Sequence, residues 1–362
     1  VGGYCRRFCH GGFRVTEFMT NTEIVRAAQA ALEPQAWDYI VGGSETEMTL
    51  RRNREAIEGL AFRPRVLRNV QTVDTSMKLL GTNLRIPYIL APVGSLQTVT
   101  PSGAAAQVKG ACAFGTLPVV SSVSEPALEE SAAAAPGDKW FQLYIRGDVN
   151  WIAEIVGRVK KSGYKALVVT VDVAHYSNRE RQQMHRWVPD GRRNAGGADY
   201  QAALDWKLLD KIRSLAKLPV IVKGIQTHED AKIALKRGLD GIWVSNHGGR
   251  QLDHARGSLD VLPEVLDVVR GKVPVIVDGG FMRGTDIIKA MAMGADVVAG
   301  GKMHAWALGA GGETALERML ELLRLEIETT MALLGVTSLK QLDTSYIARA
   351  DASIGRGAFP LL

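Results

Sequence analysis

The stretch Gly241-Ile-Trp-Val-Ser-Asn-His-Gly-Gly-Arg-Gln-Leu-Asp253 decides how the rest of the chain reads. Its first half, Ile242 to Ser245, has the apolar, β-branched character of a short buried strand. His247, two glycines and Arg250 follow at once. A titratable imidazole and a fixed cation therefore stand together on a glycine-rich turn at a strand's carboxyl end. A core strand needs neither group. Taken alone, the segment also fits a tight turn with a polar tip, so its meaning depends on what the other strands carry at the same end.

Apolar runs alternate with helical stretches on both sides of it. We read strands at 86–92, 117–121, 140–145, 166–172, 219–223, 241–245, 274–278 and 297–300. Helices are expected near 101–114, 124–135, 149–162, 205–216, 227–237, 259–270, 284–293 and 313–334. Such alternation predicts βα units on a parallel sheet. Eight units is the closing number of a (β/α)8 TIM barrel, an α/β fold. An open doubly wound sheet is the alternative. It would carry a glycine fingerprint after its first strand, which Ala91-Pro-Val-Gly-Ser95 lacks. Upstream, residues 22–32 are rich in helix formers, Pro34 suits a first helical turn, and 49–60 continue as a charged helix. We expect residues 1–18 to be a disordered extension and Met19 the natural start. A helical segment at 19–83 should pack on the barrel of 84–345, leaving a tail at 346–362. The longest gap, 174–204, has the length of a functional lid.

Composition narrows the function classes. The chain has 362 residues, 46% hydrophobic and 23% charged, an ordinary globular balance. Its net charge of +6 is scattered, with no aromatic-interleaved basic stripe, which excludes nucleic acid and suits small anionic substrates. The three cysteines, Cys5, Cys9 and Cys112, form no disulfide framework and no paired metal motif. No apolar run approaches the roughly 18 residues of a membrane span. A reducing, cytoplasmic setting is the expectation.

In an eightfold barrel the chemistry lies at the carboxyl ends of the strands. Polar residues or glycines stand at all eight: Pro92-Val93-Gly94, Ser121, Gln142 with Tyr144, Thr170 with Asp172 and then Arg179, Lys223, Ser245 with His247 and Arg250, Asp278-Gly279-Gly280 with Arg283, and Gly301-Lys302. Leaving them unpartnered would cost roughly 1–3 kcal/mol each. They must converge on a ligand, on water or on one another. The last two strand ends offer unobstructed backbone N–H groups with Arg283 and Lys302 for charge, a phosphate site in the place where barrels often have one. Lys223 ends an apolar strand and needs an anionic partner, either a neighbouring carboxylate or a ligand such as a reduced flavin. Asp172 could steady His247 as a general base. Arg179 and Arg250 could fork a carboxylate, with Tyr39 and Tyr144 donating hydrogen bonds. No serine stands in a nucleophile elbow, and the histidines lack metal-ligand spacing. Trp243 and Met291–Met293 read as core.

These segments resemble the FMN-dependent 2-hydroxy-acid oxidase and dehydrogenase family. Ser245-Asn-His-Gly-Gly-Arg-Gln-Leu-Asp253 is nearly its signature. Further matches are Phe62-Arg-Pro-Arg65, Ala91-Pro92, Trp140-Phe-Gln-Leu-Tyr144, Thr170-Val-Asp172, Leu218-Pro-Val-Ile-Val-Lys-Gly224, Asp278-Gly-Gly280, Arg283-Gly-Thr-Asp286 and Thr330-Met-Ala-Leu-Leu334. The resemblance spans roughly 22–345. It implies His247 as base with Asp172 its partner, Arg250 and Arg179 on the substrate carboxylate, and Tyr39 and Tyr144 assisting. It implies FMN contacts at Pro92, Val93, Ser121, Gln142, Thr170, Lys223, Ser245, the Asp278 turn and Gly301. The implied reaction takes an (S)-2-hydroxy acid to its 2-keto acid, with oxygen, a quinone or a cytochrome as acceptor. A homo-oligomer, tetrameric by analogy, is implied too.

Four departures stand out. Met282 replaces the family's first arginine after Asp-Gly-Gly, and Lys302 replaces the arginine after strand eight. Val123 stands where glycolate oxidases have tryptophan, and Gly94 where they often have alanine. The last two enlarge the pocket and predict a medium, long or aromatic hydroxy acid over glycolate. An FMN barrel isomerase, and a weakly FMN-binding relative without catalysis, are the competing readings.

Overall fold

The computed structural model describes residues 17–193 and 196–350. Three helices come first: α1 (Asn21–Ala31), α2 (Pro34–Val41) and α3 (Met48–Glu58). Thr20 caps α1 by accepting from the Glu23 N–H, and Pro34 opens α2, where a missing N–H costs nothing. Then come β1 (Leu60–Phe62) and a hairpin of β2 (Met77–Leu79) and β3 (Thr82–Leu84). The barrel runs β4 (Tyr88–Leu90), α4 (Gly103–Phe114), β5 (Val119–Ser121), α5 (Leu128–Ala133), β6 (Trp140–Leu143), α6 (Val149–Lys161) and β7 (Ala166–Thr170). Three short helices follow, α7 (Glu180–Met184), α8 (Asp190–Arg193) and α9 (Ala198–Ala202), before α10 (Trp206–Ala216) and β8 (Val220–Ile225). The ring is completed by α11 (His228–Lys236), β9 (Gly241–Val244), α12 (Ser258–Val269), β10 (Val275–Val277), α13 (Gly284–Met293), β11 (Val297–Gly300) and α14 (Lys302–Leu334). Strand β12 (Ile347–Arg349) is last.

The eight barrel strands are parallel and neighbour one another in chain order, with β11 beside β4. The Leu90 N–H donates to the Leu117 carbonyl and closes β4 onto β5. This is the expected TIM barrel. Most strands are shorter than the apolar runs that announced them, while β11 matches its run and β8 extends past it to Ile225.

Side chains alternate across a strand, so every second residue points inward. Ile89, Ala91, Leu117, Val119, Trp140, Ala166, Val168, Ile221, Trp243, Ile276, Val297 and Ala299 form one buried cluster inside the ring. Leu79 and Leu84 of the hairpin join it and stopper the amino end. Trp243 is core, as its sequence setting suggested. The next inward positions in step are Ser121, Gln142, Thr170, Lys223, Ser245 and Asp278, all buried. The barrel interior thus switches from apolar to polar one layer below its carboxyl mouth, and this switch locates the site.

Within the lid-length 174–204 gap, the described residues form α7, α8 and α9, and several of them line the mouth. Two expectations need correction. The last barrel helix starts at Lys302 rather than 313. An extra helical stretch leads to a kink at Gly311 and Gly312, whose non-helical backbone conceals its continuity from the sequence. The start of the expected tail is built in: β12 pairs antiparallel with β1, Leu60 opposite Arg349, and Arg65 lies 3.9 Å over the Tyr346 ring. The expected extension at 1–18 lies almost wholly outside the described residues.

A bulge between Lys223 and Ile225 turns Gly224 to φ +116°. A Cβ there would lie 2.7 Å from the Asp172 Cβ. Only glycine lets β8 pass this close to Asp172 in this conformation. Gly224→Ala should therefore lose roughly 1–3 kcal/mol in urea unfolding. An unchanged midpoint would show that the bulge relaxes freely.

Candidate active site

The polar layer is largely self-satisfied at one side. The Lys223 ammonium sits 3.2 Å from Asp278 Oδ2 and donates to Ser245 Oγ at 2.8 Å. Ser245 Oγ donates to Asp278 Oδ1 at 2.7 Å, and Trp243 Nε1 donates to Oδ2 at 3.0 Å. The neighbouring-strand carboxylate is thus a real partner for Lys223. The ion pair is nearly sealed, at 3% and 6% exposure, so either charge left alone would be costly. On the other side partners run out. Ser121 Oγ donates to Gln142 Oε1 at 2.9 Å, leaving Gln142 Nε2 without an acceptor among the described residues, and Thr170 Oγ1 has no partner among them either. Buried unmet groups of this kind call for a ligand with polar edges.

His247 stands just above, at φ 60°, a left-handed conformation uncommon outside glycine. Its backbone N–H donates to Ser245 Oγ at 3.0 Å. Its Nδ1 lies 3.0 Å from Asp172 Oδ1, and its Nε2 lies 3.5 Å from the Tyr144 hydroxyl. Burial pushes the imidazole below its ordinary value against the pull of Asp172, with Lys223 and Arg179 adding repulsion. Burial works against the Asp172 carboxylate too, but the His247 and Lys223 charges outweigh it and hold Asp172 low. The pair is a carboxylate facing a neutral ring. Nδ1–H then donates to Asp172, and Nε2 presents a lone pair to the cavity.

The turn is clamped from outside the barrel. Asn53 and Asn246 exchange hydrogen bonds at 2.9 and 2.7 Å, and Asp253 accepts from the Thr49 N–H at 2.8 Å. Gly249, at φ +75°, passes so near α3 that a Cβ would meet Leu50 N at 2.5 Å. The helical segment before the barrel is therefore part of the site's frame.

Two guanidinium groups face the same cavity. Arg250 donates to the Gly42 carbonyl at 2.7 Å and lies 5.1 Å over the Tyr39 ring. Arg179 lies 4.2 Å over the Tyr176 ring and donates to Gln251 Oε1 at 3.2 Å. Neither has a carboxylate in ion-pair range among the described residues. Burial first, then Arg179, lower Arg250 to about 10. Two neighbouring, partly desolvated cations create a strong demand for an anion. Burial raises Tyr39 and Tyr144, so both keep their protons, and Tyr39 donates to the Gly94 carbonyl at 2.7 Å.

A cavity of about 830 Å³ joins these groups to the last two strand ends. Pro92, Val93, Gly94, Lys223, Asp278, Gly279, Gly280, Gly301 and Lys302 all line it. Lys302 donates to the Val41 carbonyl, and burial followed by Arg250 lowers its ammonium to about 7. Arg283 is the misplaced expectation. Its guanidinium pairs with Glu326 on α14 at 2.9 Å and does not border the cavity, because Glu326 also takes the Gly284 N–H at the start of α13. Arg54, which the sequence reading passed over, borders the cavity instead, donating to the Gly280 carbonyl at 2.6 Å and pairing with Asp286 at 2.7 Å. It stood in a helix that read only as charged. Ser121, Gln142, Thr170 and Ser245 lie buried in the same layer as Lys223 and Asp278, which line the cavity, and Asp172 stands behind His247. Arg146 was also missed, although it continues the inward face of Gln142 and Tyr144.

FMN fits these residues. The unmet Gln142 and Thr170 atoms beside Lys223 suit a ring with polar edges. The glycine-lined ends of β10 and β11, with Lys302, suit a phosphate. A TIM barrel with such a mouth and a carboxylate-steadied imidazole defines a flavin-dependent oxidoreductase. The family model described as FMN-dependent dehydrogenase matches residues 28–349, and the chain belongs to that family. It is 36% identical over 344 residues to a peroxisomal (S)-2-hydroxyacid oxidase of Arabidopsis thaliana, covering 90% of this chain and 95% of that one. It is 36% identical over 354 residues to glycolate oxidase of Spinacia oleracea, covering 92% and 96%. Among solved structures, a mandelate oxidase variant with benzaldehyde aligns at TM-score 0.85 and 34% identity, over 92% of this chain and 99% of that one. A chimera of (S)-mandelate dehydrogenase aligns at TM-score 0.86 and 30% identity, over 91% and 99%.

The electrostatics set a direction for the His247 titration. Protonation should occur below its ordinary range, and Asp172→Asn should lower it further by removing the charge that favours the imidazolium. Ring nitrogen shifts followed by NMR against pH measure this. A rise in the variant would overturn the assignment of charges.

Proposed function

We propose that the protein oxidises an (S)-2-hydroxy acid larger than glycolate to the 2-keto acid, with His247 as the base. The observation that carries this is His247 Nε2, free to accept a proton, in one cavity with two guanidinium groups that have no carboxylate partner. Arg179 and Arg250 bind the substrate carboxylate and fix which face of Cα meets the imidazole. His247 Nε2 accepts the substrate proton, and Asp172 stabilises the imidazolium so formed while holding the ring's tautomer. Tyr144, protonated, donates to the substrate's oxygens, and Tyr39 does the same by turning its proton away from the Gly94 carbonyl. Bound FMN would supply the acceptor for the two electrons and the second proton that the hydroxy acid loses. Ser121, Gln142, Thr170, Lys223 and Ser245 would hold its ring together with Pro92, Val93 and Gly94. Asp278, Gly279, Gly280, Gly301 and Lys302 would hold its phosphate, while Arg283 braces α13 from outside.

Val123 and Gly94 support the larger substrate. A Cβ on Gly94 would lie 2.6 Å from Val123 Cγ2 and 3.7 Å from the Tyr39 hydroxyl, so both residues wall the cavity beside the substrate tyrosine. Val123 fills the space that Gly94 leaves, so the room beyond a two-carbon acid comes from valine standing where a tryptophan would. The acceptor is oxygen, a quinone or a cytochrome, and Gly94 gives only a slight lean to the last two, by analogy.

Anaerobic addition of mandelate should bleach the yellow protein. His247→Gln should keep its colour yet reduce at least about a hundredfold more slowly. Undiminished reduction would remove His247 from the base role. In a side-by-side comparison kcat/KM should be higher for mandelate than for glycolate. A clear glycolate preference would refute the reading of Val123 and Gly94.

A further inference from the structure

Arg146 borders the cavity, half-buried, two residues beyond Tyr144. Its Nη2 donates to the Gly191 carbonyl at 3.1 Å. No carboxylate is in ion-pair range of it among the described residues. Burial pushes this guanidinium below its ordinary value. A guanidinium carries five N–H donors, and one neutral carbonyl compensates neither the charge nor the remaining donors. The comparison with its neighbours is informative. Arg54 is neutralised by Asp286 and Glu58, and Arg181 by Glu47. Of the half-buried or buried arginines on this cavity, those without an acid are Arg179 and Arg250, assigned to the substrate carboxylate, and Arg146.

A chain of contacts places Arg146 away from that pair. Arg250 lies over the Tyr39 ring, and the Tyr39 hydroxyl is bonded to Gly94. Gly94 abuts Val123, and a Cβ on Gly191 would strike the Val123 carbonyl at 2.2 Å. Gly191 is the residue Arg146 holds. The third guanidinium thus borders the same cavity from the Gly191 side of Val123, apart from the Arg179 and Arg250 pair.

We propose that Arg146 binds an anionic group at the far end of the substrate's side chain, so that the preferred substrate class is a 2-hydroxy acid carrying a second carboxylate. This rests on the 2-hydroxy-acid oxidation proposed above. A bidentate arginine–carboxylate contact is strong and directional, and in a partly dry cavity it outweighs the same volume filled by a methyl group.

The test compares (S)-2-hydroxyglutarate with (S)-2-hydroxypentanoate, which has the same chain length but ends in a methyl. For the FMN-loaded protein kcat/KM should favour the diacid at least about tenfold. Arg146→Met should collapse this ratio to about one or below, chiefly through KM, and Arg146→Lys should restore part of it. Calorimetric binding of 2-oxoglutarate, which involves no turnover, should weaken in the same order. A wild-type preference for the pentanoate overturns the proposal. So does an Arg146→Met variant that loses both substrates in equal proportion, since that is what a loop pin alone would do. Failure of mandelate, glycolate and both test acids to bleach the flavin would instead overturn the hydroxy-acid reading itself, and the present proposal with it.

Discussion

A lysine ammonium buried inside a barrel must be neutralised on the spot, and the mouth of this protein is built around that requirement. Lys223 comes from β8, its serine from the end of β9 and its aspartate from the end of β10. Trp243, from the apolar layer below, completes the aspartate's bonding. Three adjacent strands are thereby tied at one height. The same Ser245 hydroxyl receives the His247 N–H, so the imidazole's position is set by the charge pair beneath it. Loss of either charge would strand the other in a dry interior and would disturb the histidine as well.

The unusual backbone around the histidine follows from close approaches. His247 is left-handed, Gly224 is bulged beside Asp172, and Gly249 lies against α3. The left-handed His247 is costly alone, the two glycines permit their turns freely, and the whole is held by the Asn53–Asn246 bonds and the Asp253 contacts to Thr46 and Thr49. The result is a carboxylate and an imidazole 3.0 Å apart on strands that are not neighbours, since β8 runs between them. Such pre-positioning suits a base that must accept a proton without rearranging.

Charge around the cavity is distributed differently from what the family resemblance implies. Met282 is buried among apolar neighbours at the position of an arginine, and Arg283 serves α13 and α14 instead of a ligand. Cationic character returns through Lys302 at one end and Arg146 at the other, with Arg54 already compensated by acids. A lysine presents a point charge where a guanidinium would offer a fork, and Arg146 borders the cavity with no acid in ion-pair range among the described residues.

The sequence alone determined the barrel, because buried parallel strands must be apolar runs and the eight runs alternate with helices. It also determined which strand ends are polar, since the step from Val168 to Thr170 or from Trp243 to Ser245 is visible as a change of character at period two. The convergence of His247, Asp172, Arg179 and Arg250 was legible for the same reason. Tertiary structure decided what those polar groups face. Arg283 and Arg54 are both arginines near glycines, and only the placement of Glu326 and Asp286 sends one outward and leaves the other at the cavity. The helix hidden before Gly311, the folding of 174–204 into three short helices, and the pairing of β12 with β1 all depend on partners distant in the chain. Arg146 shares its parity with Tyr144 in the sequence, but that no acid among the described residues stands near it is a property of space, because charge compensation is set by distance across the fold and not by position along the chain.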